Sequence, residues 1–293
     1  MIKTNKNLKI RNPLDHPEAK RLKHCIEAVL KGHVFGALII SKGGLGKTRN
    51  IREIIEKHRL KENEEWIHVA ANISDTELYK ILYDHRDKII FFDDIGMAAK
   101  TNAGITILKQ ATETKDGNNR IISWVSPTYI LKEYPHSFEF EGRLIMCLNI
   151  KPNDNNEDIA ALKSRFLSCY LEPSNKTVLE MIYSIRQKLS EDLISTEDFE
   201  EIFDYVCEES DENSELNIRV FKNAIVWHRM TKNWQKHVLE DLGFDDDTRY
   251  VIDISSNKGL RGKAATHEWV HLTGKRKSAY YSILRQLKSK FII

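Results

Sequence analysis

An apolar run, "VFGALII" (Val34–Ile40), leads directly into "SKGGLGKT" (Ser41–Thr48). That junction constrains the fold more than any other stretch of the chain. A buried strand, a glycine-rich turn and a helix together aim backbone N–H groups and a helix N-terminus at phosphate oxygens. The phosphate-loop pattern is G-x-x-x-x-G-K-[ST]. Gly46, Lys47 and Thr48 fall in register, but Ser41 stands at the opening glycine. The first position turns the chain and does not touch phosphate, so Ser41 is expected to end the strand. Gly43, Gly44 and Gly46 let the backbone come close without a Cβ in the way; Lys42 precedes them and Leu45 stands between Gly44 and Gly46. The pattern predicts that Ser41–Thr48 cradles a nucleotide. Lys47 would reach the β- and γ-phosphates, and the Thr48 hydroxyl would hold Mg2+.

The following stretches repeat the strand–helix alternation. "WIHVAA" (Trp66–Ala71) reads as a strand, followed by a helix opened by the capping box Ser74 and Glu77. "KIIFFDD" (Lys88–Asp94) is a third strand with two acids at its end, where open α/β sheets hold ligands. Asp93 is placed to hold the magnesium shell, and Asp94 to orient or deprotonate an attacking water. A helix across Ile105–Thr112, a hairpin from "RIISWV" and "SFEF", and the apolar strands "RLIMCLN" (Arg143–Asn149) and "FLSCYL" (Phe166–Leu171) follow. Such alternation predicts an α/β fold with a parallel sheet covered on both faces. After Pro173 the periodicity is helical only: Lys176–Leu189, Thr196–Glu209 and Asn217–Met230. The expected domains are 1–172, 173–231 and 232–293.

In this order of motifs the chain resembles the AAA+ ATPases, over roughly residues 30–230. The resemblance implies an αβα P-loop core and an all-helical lid. Lys47 and Thr48 become Walker A residues, Asp93 and Asp94 the Walker B pair, and Asn149 the sensor-1 residue. Arg165, in "ALKSRF", becomes the finger that completes a neighbour's site, and Arg219, in "LNIRVFKNAI", the sensor-2 arginine. The ligands implied are ATP and Mg2+. A finger acting in trans also implies a homo-oligomer, a ring or a spiral. Asp94 stands where the family usually has Glu, one methylene longer. The hairpin before the sensor-1 strand looks like an insertion of the branch with Holliday-junction motors and protein unfoldases; a hairpin that only covers a sheet edge reads equally well. "FEFEGRLIMCLN" is similar to ATPases of bacteriophages and mobile elements. The letters K-G-G-x-G-K-T also occur in partition-type ATPases, but those carry the loop near the N-terminus and end Walker B in Asp-Pro or similar, unlike "FFDDIG" here.

Net charge is only +2, which hides a split. Leu189–Ile218 holds twelve acids and no Lys or Arg, and reads as a solvated helix face. From Lys258 onward nine Lys or Arg stand against one acid, Glu268, which points to a polyanion. Within that tail Ala264–Leu272 reads as a helix and Thr273–Gly274 as a break. Ser278 is expected to cap a second helix with Tyr280, Ile283, Leu284 and Leu287 on one face. This looks like a helix-turn-helix, with Lys275, Arg276 and Lys277 at the entrance of the recognition helix and Tyr281 and Arg285 further along as DNA contacts. "HEWVH" (His267–His271) matches a zinc-protease pattern, but the 22 residues after it contain no further Asp, Glu, His or Cys. That reading is set aside.

Four scattered cysteines without C-x-x-C pairing fit a reducing, cytoplasmic setting. No apolar N-terminal run marks a secretory signal, and no stretch approaches the ~20 apolar residues that cross a bilayer. The sequence therefore predicts a cytoplasmic ATPase that remodels or translocates DNA, or loads a replication or recombination protein. A protein remodeller and a nucleotide-switched DNA-binding protein with little hydrolysis are the alternatives.

Overall fold

The computed structural model describes residues 16–95, 101–113, 120–124, 133–149, 157–192, 194–211, 214–243, 246–256 and 259–289. The chain divides into two units, which separate in sequence between Glu172 and Pro173.

The first unit carries α1 (Pro17–Leu30), β1 (Gly36–Ser41), α2 (Lys47–Lys57), β2 (Trp66–Val69), α3 (Asp75–Asp84), β3 (Ile89–Asp93) and α4 (Asn102–Gln110). It continues with β4 (Ile121–Ser123), β5 (Ser137–Glu139), β6 (Arg143–Leu148), α5 (Glu157–Lys163) and β7 (Leu167–Leu171). Five strands form one sheet in the order β2-β3-β6-β1-β7, every neighbouring pair parallel. All six residues of β1 are buried, as expected of a strand covered on both faces. Its side chains alternate between two apolar layers. Leu38 and Ile40 join Leu78, Tyr79, Phe92, Ile105 and Met146 on one side. Ala37 and Ile39 join Ile26, Val29, Ile51, Ile55 and Trp66 on the other.

β4 and β5 pair antiparallel as a separate two-stranded ribbon, with Ile122 opposite Phe138. Both side chains are buried in the first layer, so the ribbon covers part of the sheet. The stretch that links its strands lies partly outside the described residues.

The second unit is helical. It contains α6 (Asn175–Ser184), α7 (Arg186–Asp192), α8 (Thr196–Glu209), α9 (Ile218–Met230) and α10 (Trp234–Asp241). Ser174, Ser195 and Asn217 cap α6, α8 and α9 by accepting from backbone N–H groups in the first turn. Phe199, Phe203 and Phe221 form the aromatic centre. The expected helix over Lys176–Leu189 is two helices. Ser184 donates its hydroxyl to the Met181 carbonyl at 2.6 Å, and the Ile185 N–H turns back to Ile182 at 3.1 Å, which tightens the chain there. α10 packs with α8 and α9: Trp234 meets Tyr205 edge-on at 4.9 Å, and His237 stacks on Trp227 at 4.5 Å.

Three further helices, α11 (Asp246–Ser256), α12 (Lys263–Thr273) and α13 (Lys277–Ser289), complete the chain. They close around Val251, Ile254, Ala265, Trp269, Tyr280 and Leu287. α11 had no counterpart in the sequence pattern. The Ala279 N–H bonds the Arg276 carbonyl at 3.0 Å, so α13 is under way at Lys277 and Ser278 lies inside its first turn. The expected Ser278 cap is thereby corrected. Among the described residues no helix is long and apolar enough to cross a membrane.

Candidate nucleotide site and helical tail

Because β6 lies between β1 and β3, the C-terminal ends of all three strands share one edge of the sheet. β1 delivers the glycine loop there, β3 delivers Asp93, and β6 delivers Asn149. The loop turns through Gly44 (φ 79°) and Gly46 (φ 73°), both left-handed, and Gly46 opens α2. A Cβ built on Gly43 would meet nothing within 4 Å, so that side of the loop is open.

Lys47 is 6% exposed. Its ammonium donates to Asn149 Oδ1 at 2.6 Å, to Ser41 Oγ at 2.7 Å, to the Lys42 carbonyl at 3.1 Å and to the Ser41 carbonyl at 3.3 Å. Burial pushes its pKa below the usual lysine value, and Cys147, Asp93 and Asp94 pull it partly back. The Thr48 hydroxyl donates to Asp93 Oδ2 at 2.7 Å. Sequence positions 41, 47, 48, 93 and 149 thus converge. Asp94 follows directly, exposed and left-handed at φ 64°. Among non-glycine residues Asp is one of the few that adopt this region readily.

Two parts of the site were not expected. The Ser41 hydroxyl bonds Lys47, a role beyond ending a strand. His68 of β2 stacks on Phe91 at 4.9 Å, with Nε2 at 3.7 Å from Asp93 Oδ2. That nitrogen is buried without a hydrogen-bond partner. The alternation of β2 puts His68 on a defined face, but nothing in "WIHV" signals a neighbouring carboxylate.

The donor set suits a magnesium nucleotide. A hydroxyl and a carboxylate oxygen stand together as hard oxygen ligands, beside a buried ammonium and a glycine loop at a helix N-terminus.

Arg165 does not join the cluster. It precedes β7 and therefore lies at the N-terminal edge of the sheet, with Nε 3.5 Å from Glu113 Oε2. Arg219 sits in the first turn of α9, where its N–H bonds Asn217 Oδ1 at 2.9 Å.

In the tail, α12 and α13 meet at Gly274, left-handed at φ 67°. Trp269 Nε1 donates to the Arg276 carbonyl at 3.3 Å and ties the turn to α12. Lys277, Tyr281, Arg285 and Lys288 are exposed on α13, at the spacing of one face. Arg276 is also exposed, whereas Lys275 pairs with Asp247 of α11 at 2.5 Å. His267 and His271 are exposed on α12 while Trp269 is fully buried. "HEWVH" therefore belongs to a packing helix.

These features define an α/β P-loop core with a five-stranded parallel sheet, followed by helices. No protein-family model and no curated protein matches the chain. Among solved structures it is similar to an arginine-to-alanine variant of RuvB from Thermotoga maritima, at 17% identity over 95% of this chain and 91% of that one, TM-score 0.48. It is similar to domain III of the Thermotoga maritima replication initiation protein DnaA, at 13% identity over 80% and 98%, TM-score 0.47. A third likeness is to replication initiator DnaA bound to AMPPCP and single-stranded DNA, at 11% identity over 97% and 93%, TM-score 0.48.

Proposed function

We propose that this chain is an AAA+-type, Mg2+-dependent ATPase that oligomerises and acts on DNA. The observation that carries the reading is the meeting of Lys47, Thr48, Asp93 and Asn149 at one edge of the sheet. Lys47 would hold the β- and γ-phosphates, and Thr48 and Asp93 the cation. When bound, the cation supplies positive charge against the phosphate oxygens. Asn149 would position the γ-phosphate or the water, and Asp94 would orient that water. Arg165 lies beyond the sheet from its own loop, and a sheet of this length spans roughly 17 Å. That separation favours a role in a neighbour's site. Arg219 is the proposed sensor-2 residue.

The α13 face of Lys277, Tyr281, Arg285 and Lys288, with Arg276 at its entrance, is the proposed DNA contact. DNA remodelling, translocation along DNA, or loading of a replication or recombination protein would be the output. A nucleotide-switched DNA-binding protein is the second reading, favoured by Asp94, whose short side chain holds water less well than Glu.

ATP turnover with and without duplex DNA tests these readings. The ATPase reading expects Lys47-dependent turnover that DNA accelerates. ATP-dependent DNA binding with negligible turnover would establish the switch. Turnover indifferent to DNA would point to a protein remodeller.

A further inference from the structure

The nucleotide and DNA readings leave the acid-rich stretch unexplained. α8 carries seven of its acids and no Lys or Arg. Asp198 and Glu201 lie one turn apart on α8, and His228 stands in the last turn of α9. The candidate ligand atoms of these three side chains all lie within 4.8 Å of one another. His228 Nε2 is 3.5 Å from Glu201 Oε2. That separation exceeds the usual hydrogen-bond range of about 2.7–3.2 Å. It matches the ~3.4 Å edge of a tetrahedron whose ligand bonds are about 2.0–2.1 Å long. The Trp234 ring meets the imidazole edge-on, centroids 5.1 Å apart at 64°, and so holds its plane. Glu201, His228 and Trp234 line an open surface cleft.

We propose that Asp198, Glu201 and His228 form a divalent transition-metal site of the Zn2+ class, tying α8 to α9. Two carboxylates neutralise the cation. The imidazole selects against Mg2+ and Ca2+, which prefer all-oxygen shells. His228 Nε2 and Glu201 already have the spacing of shared ligands, and a bound cation would draw Asp198 in from within 4.8 Å. Arg229 and Lys232 also line that cleft; the acids of α8 oppose their charge. The site belongs to the helical unit and is independent of the nucleotide reading.

The test uses the full chain, stripped with EDTA and free of nucleotide. Zn2+ is titrated by calorimetry, and Co2+ is followed by its visible absorption. One equivalent of Zn2+ should bind in the micromolar range and raise the thermal midpoint. Glu201→Gln and His228→Gln should each weaken binding at least ~10-fold and abolish the rise, by loss of a ligand. Glu201 is well exposed, so its variant keeps the test valid if the His228 variant folds poorly by circular dichroism. Asp93→Asn should bind Zn2+ like the parent, which separates this site from the nucleotide edge. Millimolar binding only, or parent-like binding by Glu201→Gln, overturns the proposal. So does Mg2+ binding as tight as Zn2+.

Discussion

At Lys47 a single cation is held by four acceptors inside the protein, at a cost that its lowered pKa records. A phosphate group is a stronger partner than these neutral oxygens, because both members of the pair are charged. Lys47→Ala should therefore abolish ATP binding in a folded chain, measured with a fluorescent nucleotide; unchanged affinity would rule out the cradle. Ser41 allows a finer test. Ser41→Ala removes the 2.7 Å acceptor and should destabilise the nucleotide-free chain by about 1 kcal/mol in urea unfolding. Equal stability would mean that the hydroxyl contributes nothing there. Lys47, Thr48, Asp93 and Asn149 were legible because each sits at a position fixed by a strand end or by the glycine spacing. The Ser41 hydroxyl and His68 were not, since their partners come from the folded meeting of β1, β2 and β3 and leave no local pattern.

The strands read clearly as apolar runs because β1, β3 and β6 are buried on both faces and need no polar alternation. α11 did not, since among its described residues Val251 and Ile254 are buried in the core and Tyr250 packs against it, too few to set a helical period. The split of α6 from α7 goes with the Ser184 hydroxyl bond and the backbone turn of Ile185, which periodicity does not register. Strand packing also sets the tolerance of β1. A Cβ on Gly36 would stand 2.5 Å from the Phe166 ring, which β7 holds against it. Gly36→Ala should lower stability by roughly 1–3 kcal/mol through overpacking, and a thermal midpoint equal to the parent's would show that the ring moves freely. All four cysteines are buried, two of them, Cys25 and Cys169, between α1 and the sheet. A thiol reagent should label four groups in denaturant and none rapidly in the native chain. Fast labelling of any cysteine would show that its helix or strand opens readily.

Across the whole molecule, charge is segregated along the chain, acidic over residues 189–218, which contain α8, and basic from residue 258 onward, which contain α12 and α13. A uniformly mixed surface would bind a polyanion weakly; a face with four exposed residues, three of them cationic, concentrates the field. The packing of α11 to α13 decides which cations are free to take part. Tyr280 and Leu287 turn inward and leave Lys277, Arg285 and Lys288 exposed, while Lys275 is committed to Asp247. Each phosphate neutralised contributes about −0.9 to the slope of log K against log salt. If each of the three cations meets one phosphate, replacing Lys277, Arg285 and Lys288 by Ala should flatten that slope by roughly 3 × 0.9 and weaken duplex binding strongly at low salt. Lys275→Ala should change the slope little, because its charge already faces a carboxylate, and should lower thermal stability instead. Basal ATP turnover should survive in the triple variant, because none of these residues belongs to the nucleotide edge. The measurement is fluorescence anisotropy of labelled duplex from low to moderate salt. Parallel salt lines for parent and triple variant would remove α13 as the DNA contact and give first place to the protein-remodelling reading.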